Sequence, residues 1–301
     1  MPTFPATGPV TLRTNLADSP TTAALKSGAV SSPLVNFEFA GTKVANEGFK
    51  PMVREGKFQA GELAIVTYLQ AKAYGKPLLL LPATMVGRFQ HHMLVTSSVR
   101  GPVEPKDLEG QKVALRAYSQ TTGVWVRGLL QHEYGVDLDK VTWLCRDDPH
   151  VVEAADPANV ERLAPGAKSL ENLVLDGDVI AGILGNELPK DPRARHFFEN
   201  YQALARAWYA KYHTVHINHL FVVHADLAKE RPDVVKEIYR LLLASKAAAP
   251  PRGDIDLLPF GLPAMRRALE LVIDYAFEQK LLPRKLTVDE LFDDTTRALG
   301  T

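Results

Sequence analysis

One cysteine is all the thiol this 301-residue chain contains, so no intrachain disulfide framework can staple it, and the usage fits a reducing compartment. Cys145 sits in "VTWLCRDD" with no histidine or cationic helix start beside it, which reads as a small buried apolar residue rather than a nucleophile. Excess charge of either sign is also missing. The 35 basic residues balance 35 acidic ones, which leaves no global field to draw in nucleic acid or an anionic membrane. Any anionic partner must be held by local arrangement. No apolar run approaches transmembrane length, and "MPTFPATGPVTLRTNLADSP" has neither the basic start nor the apolar stretch of a signal peptide. The expectation is a cytoplasmic chain that contacts neither nucleic acid nor membrane.

What is there is enough apolar content, 46%, to bury a large core over a length beyond the usual single-cored domain. Strand-like segments ("GPVTLRTN", "GELAIVTY", "PLLLLPAT", "HHMLVTSS", "KVALRAY", "DVIAGILG", "HINHLFVVH") alternate with helix-like ones. That order predicts an α/β protein with mostly parallel pairing. Helical spacing is predicted over 17–28, 43–56, 62–74, 121–134, 191–211, 231–248, 263–280 and 287–298. Gly135 is a stop signal, Pro232 a first-turn proline, and Thr287 with Glu290 a capping box.

The loop "VRGPVEPKDLEGQ" reads as a crossover into a second lobe, and "HTVHINHLFVV" as the return. Two lobes follow, one formed by residues 1–96 plus 217–301 and the other by the inserted 97–216, each a mixed sheet flanked by helices. A small-ligand cleft is expected where the chain crosses twice.

The stretch "RAYSQTTGVWVRGLLQHEYGV" is the richest in chemistry. If "KVALRAY" is a strand, Arg116 lies at its C-terminal end, and Ser119, Thr121 and Thr122 fall in the turn before a helix. In open α/β sheets that end faces the ligand crevice. The first helical amides carry partial positive charge, so a carboxylate is bound there by backbone donors and hydroxyls together, with Arg116 as a bidentate clamp. Gly123 permits close backbone approach, and Trp125 offers a flat apolar face for an aromatic ring. The cluster reads as a socket for an aromatic acid. The bland alternative stays beside it: Ser and Thr are ordinary helix caps, and Arg127 is a solvated helical residue. The glycine-rich run and lysine of a phosphate loop are absent.

Other polar concentrations supply further candidates. Arg88, His91 and His92 precede an apolar strand in "GRFQHHMLV", and neighbouring strand residues point to opposite faces, so only one of the two histidines faces a cleft. His213, His216, His219 and His224 crowd "KYHTVHINHLFVVH". His219 is the most attractive proton carrier among them, because histidine titrates near neutrality, and it lies where the chain recrosses. A divalent metal on these histidines stays open. Glu62 opens "ELAIVTYL" and Glu187 ends "AGILGNELP". Glu62 is the better cleft candidate of the two, and Tyr68 on the same segment lines the opening.

In order and separation, "KFQAGELAIVTYL", "GRFQHHMLV", "RAYSQTTGVWVRGLLQHEYGV" and "HINHLFVV" resemble the 4,5-dihydroxyphthalate decarboxylases, over roughly residues 35 to 280. That family is similar to type 2 periplasmic binding proteins, so the resemblance implies two α/β lobes joined by two crossover strands. Some of its relatives are solute-binding components of transporters. By matching positions, the resemblance carries over Glu62, Tyr68, Arg88, His91 or His92, Arg116, Ser119, Thr121, Thr122, Trp125, Arg127 and His219. Members of the family carry an apolar "GIFPIxH" pattern where this chain has "YHTVHINH", so His213 and His216 are departures.

The implied activity is non-oxidative loss of carbon dioxide from a hydroxylated aromatic dicarboxylate. Glu62 or a histidine engages the phenol, His219 or His92 protonates the ring carbon, and the Arg116 socket holds the carboxylate that stays. The implied partner is a small aromatic carboxylate. No organic cofactor is demanded, because the ring itself holds the developing charge. A solute-binding protein for an aromatic carboxylate is the alternative, and self-association into a homo-oligomer stays open.

Overall fold

The computed structural model describes residues 4–42, 44–251 and 253–301. They fall into two compact units: residues up to Arg88 with Ile217–Ile273 and Arg284–Thr301, and Phe89–His216 with Asp274–Pro283.

The first unit begins with β1 (Val10–Asn15), α1 (Pro20–Lys26), β2 (Val35–Phe39), α2 (Phe49–Glu55), β3 (Ala60–Ala64), α3 (Ile65–Ala73) and β4 (Leu78–Gly87). The second holds β5 (Leu94–Ser97), β6 (Lys112–Leu115), α4 (Thr121–Tyr134), β7 (Thr142–Cys145), β8 (Val160–Arg162), α5 (Leu170–Leu175), β9 (Ala181–Ile183), β10 (Ala194–His196) and α6 (Tyr201–Tyr212). The chain returns with β11 (Ile217–His224), α7 (Ala225–Glu230), α8 (Pro232–Ala247), α9 (Leu262–Glu278) and α10 (Asp294–Arg297).

Both sheets are mixed. The first runs β2-β1-β3-β11-β4, with β1 parallel to β2 and β3 and β11 antiparallel to β3 and β4. The second runs β10-β5-β9-β6-β7-β8, parallel across β9-β6-β7-β8 and antiparallel at β5 and β10. Interior strands covered on both faces read as unbroken apolar runs; all five residues of β3 are buried, including its glutamate. The apolar stripe of α8, Val234, Val235, Ile238, Leu241 and Leu242, joins Leu79, Leu81, Phe221 and Val223 in the first core. Among the described residues no helix is long and apolar enough to cross a membrane.

Several expectations need correction. β5 pairs with β9 and β10 in the second sheet, so the first crossing falls between Arg88 and Phe89 and not at 96–97. Residues 274–283 belong to the second unit, because Tyr275 lies across Gly128, where an added Cβ would come within 2.1 Å of its ring. "GELAIVTY" is part strand and part helix. The helix expected over 43–56 starts at Lys43, outside the described residues, and shrinks to a 3-10 turn followed by α2. The one expected over 191–211 opens with β10, and that over 287–298 reduces to a turn plus α10, although Thr287 and Glu290 do form their box.

Candidate functional site

The first unit holds a histidine–carboxylate pair. β3 and β11 run antiparallel with Glu62 opposite Phe221 and Ala64 opposite His219. Glu62 and His219 are therefore diagonal neighbours on one face, within reach of long side chains. Glu62 Oε1 lies 2.5 Å from His219 Nδ1, and its Oε2 accepts from the Ala17 N–H at 3.3 Å. At 2% exposure Glu62 is the only carboxylate among the described residues buried to this degree, whereas the His219 side chain is 21% exposed. As a carboxylate, Glu62 accepts a hydrogen bond from Nδ1–H, which fixes the tautomer and leaves Nε2 as the ring nitrogen turned away from the acid. The pairing of β11 with β4 slips on both sides of His219, the kind of irregularity that re-aims a side chain.

Residues that composition did not flag hold this pair in place. Asn15 donates to the carbonyls of Ala45 and Glu62 and accepts from Thr42. Gly48 and Gly61 leave it room: an added Cβ would fall 2.4 Å from the Asn15 side chain and 2.3 Å from its carbonyl, and Gly61 has φ 150°. The Phe49 ring meets His219 edge-on at 5.1 Å. Tyr68, expected to line an opening, is wholly buried and donates to the Leu291 carbonyl at 2.6 Å; burial raises its pKa. It ties α3 to the C-terminal segment instead. Arg88 is half-buried directly after β4, and burial lowers its pKa.

In the second unit the stretch from β6 into α4 folds as expected. Arg116 follows β6, one third exposed, with its guanidinium 3.7 Å from Asp147. Ser119, Thr121 and Thr122 are buried around the first turn of α4, and Gln120 supplies no side-chain cap. Arg127 departs from both readings of it, since it is neither solvated nor placed to touch a ligand. Its exposure is 0%; it donates to the Tyr118 carbonyl at 2.6 Å and to Gln279 Oε1 at 2.8 Å, and lies 3.8 Å from the Tyr118 ring centroid. Gly123 makes room for this guanidinium, not for a ligand.

His216 is also wholly buried, and the Gln90 N–H donates to its Nδ1 at 3.1 Å, so the proton of the neutral ring sits on Nε2. Trp125 stacks on it at 4.5 Å and 8°, which covers the face expected for a substrate ring. Trp208, Phe89 and His91 complete the box. Burial holds the His216 pKa well below its ordinary value and His91 at about 4.

His91 and His92 differ in burial, but they lie on a 3-10 turn, His91–Met93, ahead of β5, so the strand alternation expected for them does not apply. His92 is half-buried against His196 and Tyr201. Glu187 is exposed in the bend after β9. His213 caps α6 in the left-handed region at φ 52°, and His224 Nδ1 accepts from the Asp226 N–H. No three histidine, cysteine or acidic side chains among the described residues are grouped to hold a metal. Cys145 is buried and its thiol is pushed up to about 12 by that burial, so it is inert.

No known family model matches the chain. In sequence it is 29% identical over 208 residues to a 4,5-dihydroxyphthalate decarboxylase of Comamonas testosteroni, covering 65% of this chain and 63% of that one. It is 25% identical over 169 residues to a protein of the same name from Pseudomonas putida, covering 52% and 65%. The matches thus span somewhat under two thirds of those relatives' length. Among solved structures, the periplasmic aliphatic sulphonate binding protein SsuA of Escherichia coli superposes with TM-score 0.59 at 11% identity over 94% of this chain and 97% of that one. The desulfurization enzyme DSZB does so with TM-score 0.52 at 16% identity over 94% and 97%. By sequence the chain is similar to these two proteins named 4,5-dihydroxyphthalate decarboxylase, and by structure it has the periplasmic-binding-protein fold.

Proposed function

We propose that the chain is a decarboxylase of a hydroxylated aromatic dicarboxylate such as 4,5-dihydroxyphthalate, with His219 as the proton donor. The contact between buried Glu62 and partly exposed His219 carries this reading. A buried carboxylate steadies the imidazolium form, so Nε2 can give a proton to the ring carbon that bears the departing carboxylate. The C–CO₂ bond then breaks, its electron pair returns to the ring, and carbon dioxide leaves. Solvent restores the imidazolium proton. A phenol ortho or para to that carbon supplies the electron push, so the scheme calls on no cofactor. Turnover unchanged after exhaustive chelation would support that.

Arg116 and the loop leading into α4 supply an anion-binding element, at a helix start that favours a carboxylate. The names of the two relatives support the decarboxylase reading. The sulphonate-binding neighbour supports the second one, an aromatic-acid receptor without catalysis. The fold itself does not decide, since its neighbours include both a binding protein and an enzyme. Incubation with 4,5-dihydroxyphthalate separates the readings. Carbon dioxide release that His219→Ala abolishes supports the enzyme, and tight binding without release supports the receptor.

A further inference from the structure

Arg127 raises a question that packing does not answer. Two guanidinium side chains among the described residues are buried, and Arg231 is paired with Asp233 at 2.8 Å. Arg127 has no carboxylate. Its partners are a backbone carbonyl, an amide oxygen and the rings of Tyr118 and Trp143, at 3.8 and 5.2 Å. Asp156, an acid whose field acts on it without contact, is already bonded to Arg162. Its Nη1 has no hydrogen-bond partner, and a Cβ built on Gly123, in the first turn of α4, would lie 3.0 Å from that atom. A buried charge left without a counter-ion is costly, and an apolar residue of similar volume would stabilise the fold better. In such surroundings the field of the charge is weakly screened. It adds to the positive end of the 14-residue helix α4.

We infer that Arg127 is the buried counter-charge of an anion held at the start of α4: it does not touch the ligand, but its unneutralised field makes that loop select carboxylates over neutral molecules of the same shape. This rests on the anion-binding role proposed above for Arg116 and the loop into α4. Arg127 is thus a positioning and selectivity residue, and it also fixes the loop through the Tyr118 carbonyl.

The test compares binding of phthalate and of uncharged phthalamide to the full chain by calorimetry. Gln279→Glu puts a carboxylate where an amide oxygen now lies 2.8 Å from Arg127 Nε, cancelling the charge while leaving the guanidinium in place. Because it also loses the bond from Gln279 to the Val124 carbonyl, Gln279→Ala serves as the uncharged control. Arg127→Met removes the charge at similar volume.

The expected result is a fall in phthalate affinity of roughly ten- to fifty-fold in Gln279→Glu and Arg127→Met, the size one charge exerts over several ångströms at an effective dielectric of about 20. Phthalamide affinity should change less than about threefold, and Gln279→Ala should leave the phthalate-to-phthalamide ratio at the wild-type value. If Arg127→Met does not fold, Gln279→Glu decides. An unchanged ratio in folded Gln279→Glu, or no wild-type preference for phthalate, overturns the inference. Failure of wild type to release carbon dioxide from 4,5-dihydroxyphthalate is a separate result. It removes the decarboxylase reading and leaves the charge selectivity measured.

Discussion

His216 and His219 lie three residues apart in one short segment, yet their surroundings are opposites. His219 has a carboxylate at one nitrogen and partial exposure for the other. His216 is sealed between Trp125, Trp208, Phe89 and His91, with a backbone N–H at Nδ1 and no acid in contact. A histidine cycles protons only if its charged form is tolerated and one nitrogen can reach solvent or substrate. The role proposed for His219 rests on this contrast, and His216 is a packing element of the aromatic box.

The largest effect expected from this contrast is on catalysis. His219→Ala should lower turnover of 4,5-dihydroxyphthalate by roughly 10²- to 10⁴-fold, the range general acids contribute, with KM changed far less. Glu62→Gln should cost roughly 10- to 100-fold, because an amide no longer stabilises the imidazolium although it still fills the space. His216→Phe, which keeps an aromatic ring in the box, should leave turnover within about threefold. Steady-state kinetics on the three variants would break the contrast if His216→Phe were the worst of them.

Much of the fold was legible because its signals are local. α4 spans 121–134 as expected, ended by Gly135 in the left-handed conformation with φ 66°. Strands β2, β7, β8 and β10 went unseen; of these "VER" and "ARH" are three residues long and largely polar, so pairing holds them and not pattern. The site was legible in part. Glu62 and His219 were each singled out, but their contact depends on β3–β11 register across 157 residues, which no local signal encodes. Arg127 and Trp125 were misread for a related reason: helical spacing places them on α4 but cannot say that Gln279 and His216 come from elsewhere in the chain to cover them.

The next effect is on stability against pH. His91 is held at about 4, chiefly by burial, with Glu133 opposing and His92 reinforcing the shift. Its folded pKa is therefore depressed, and the unfolded chain takes up the proton first, near 6.5. The contribution is complete above that pH and is lost as pH falls from about 6.5 towards 4. It amounts to about 3 kcal/mol at most, and buried His216 acts in the same direction. Denaturant titrations at pH 7.5 and 4.5 should show a smaller pH dependence in His91→Phe than in wild type. Close behind in size is Gly128→Ala, which should destabilise by about 1–3 kcal/mol, because the new methyl meets the Tyr275 ring.

The smallest effect belongs to a residue that sequence grouped with the site and structure does not. Tyr68→Phe removes one hydroxyl that donates to the Leu291 carbonyl at 2.6 Å in a buried setting where the carbonyl finds no ready substitute. That should cost about 1 kcal/mol of stability and leave both turnover and phthalate affinity unchanged within error. Both Glu62 and Tyr68 sit on "ELAIVTYL", six residues apart, so the pair asks whether a motif acts as a unit or residue by residue. A Tyr68→Phe variant with wild-type stability but reduced turnover would return the tyrosine to the chemistry. It would also show that the contact with Leu291 is not what holds it in this chain.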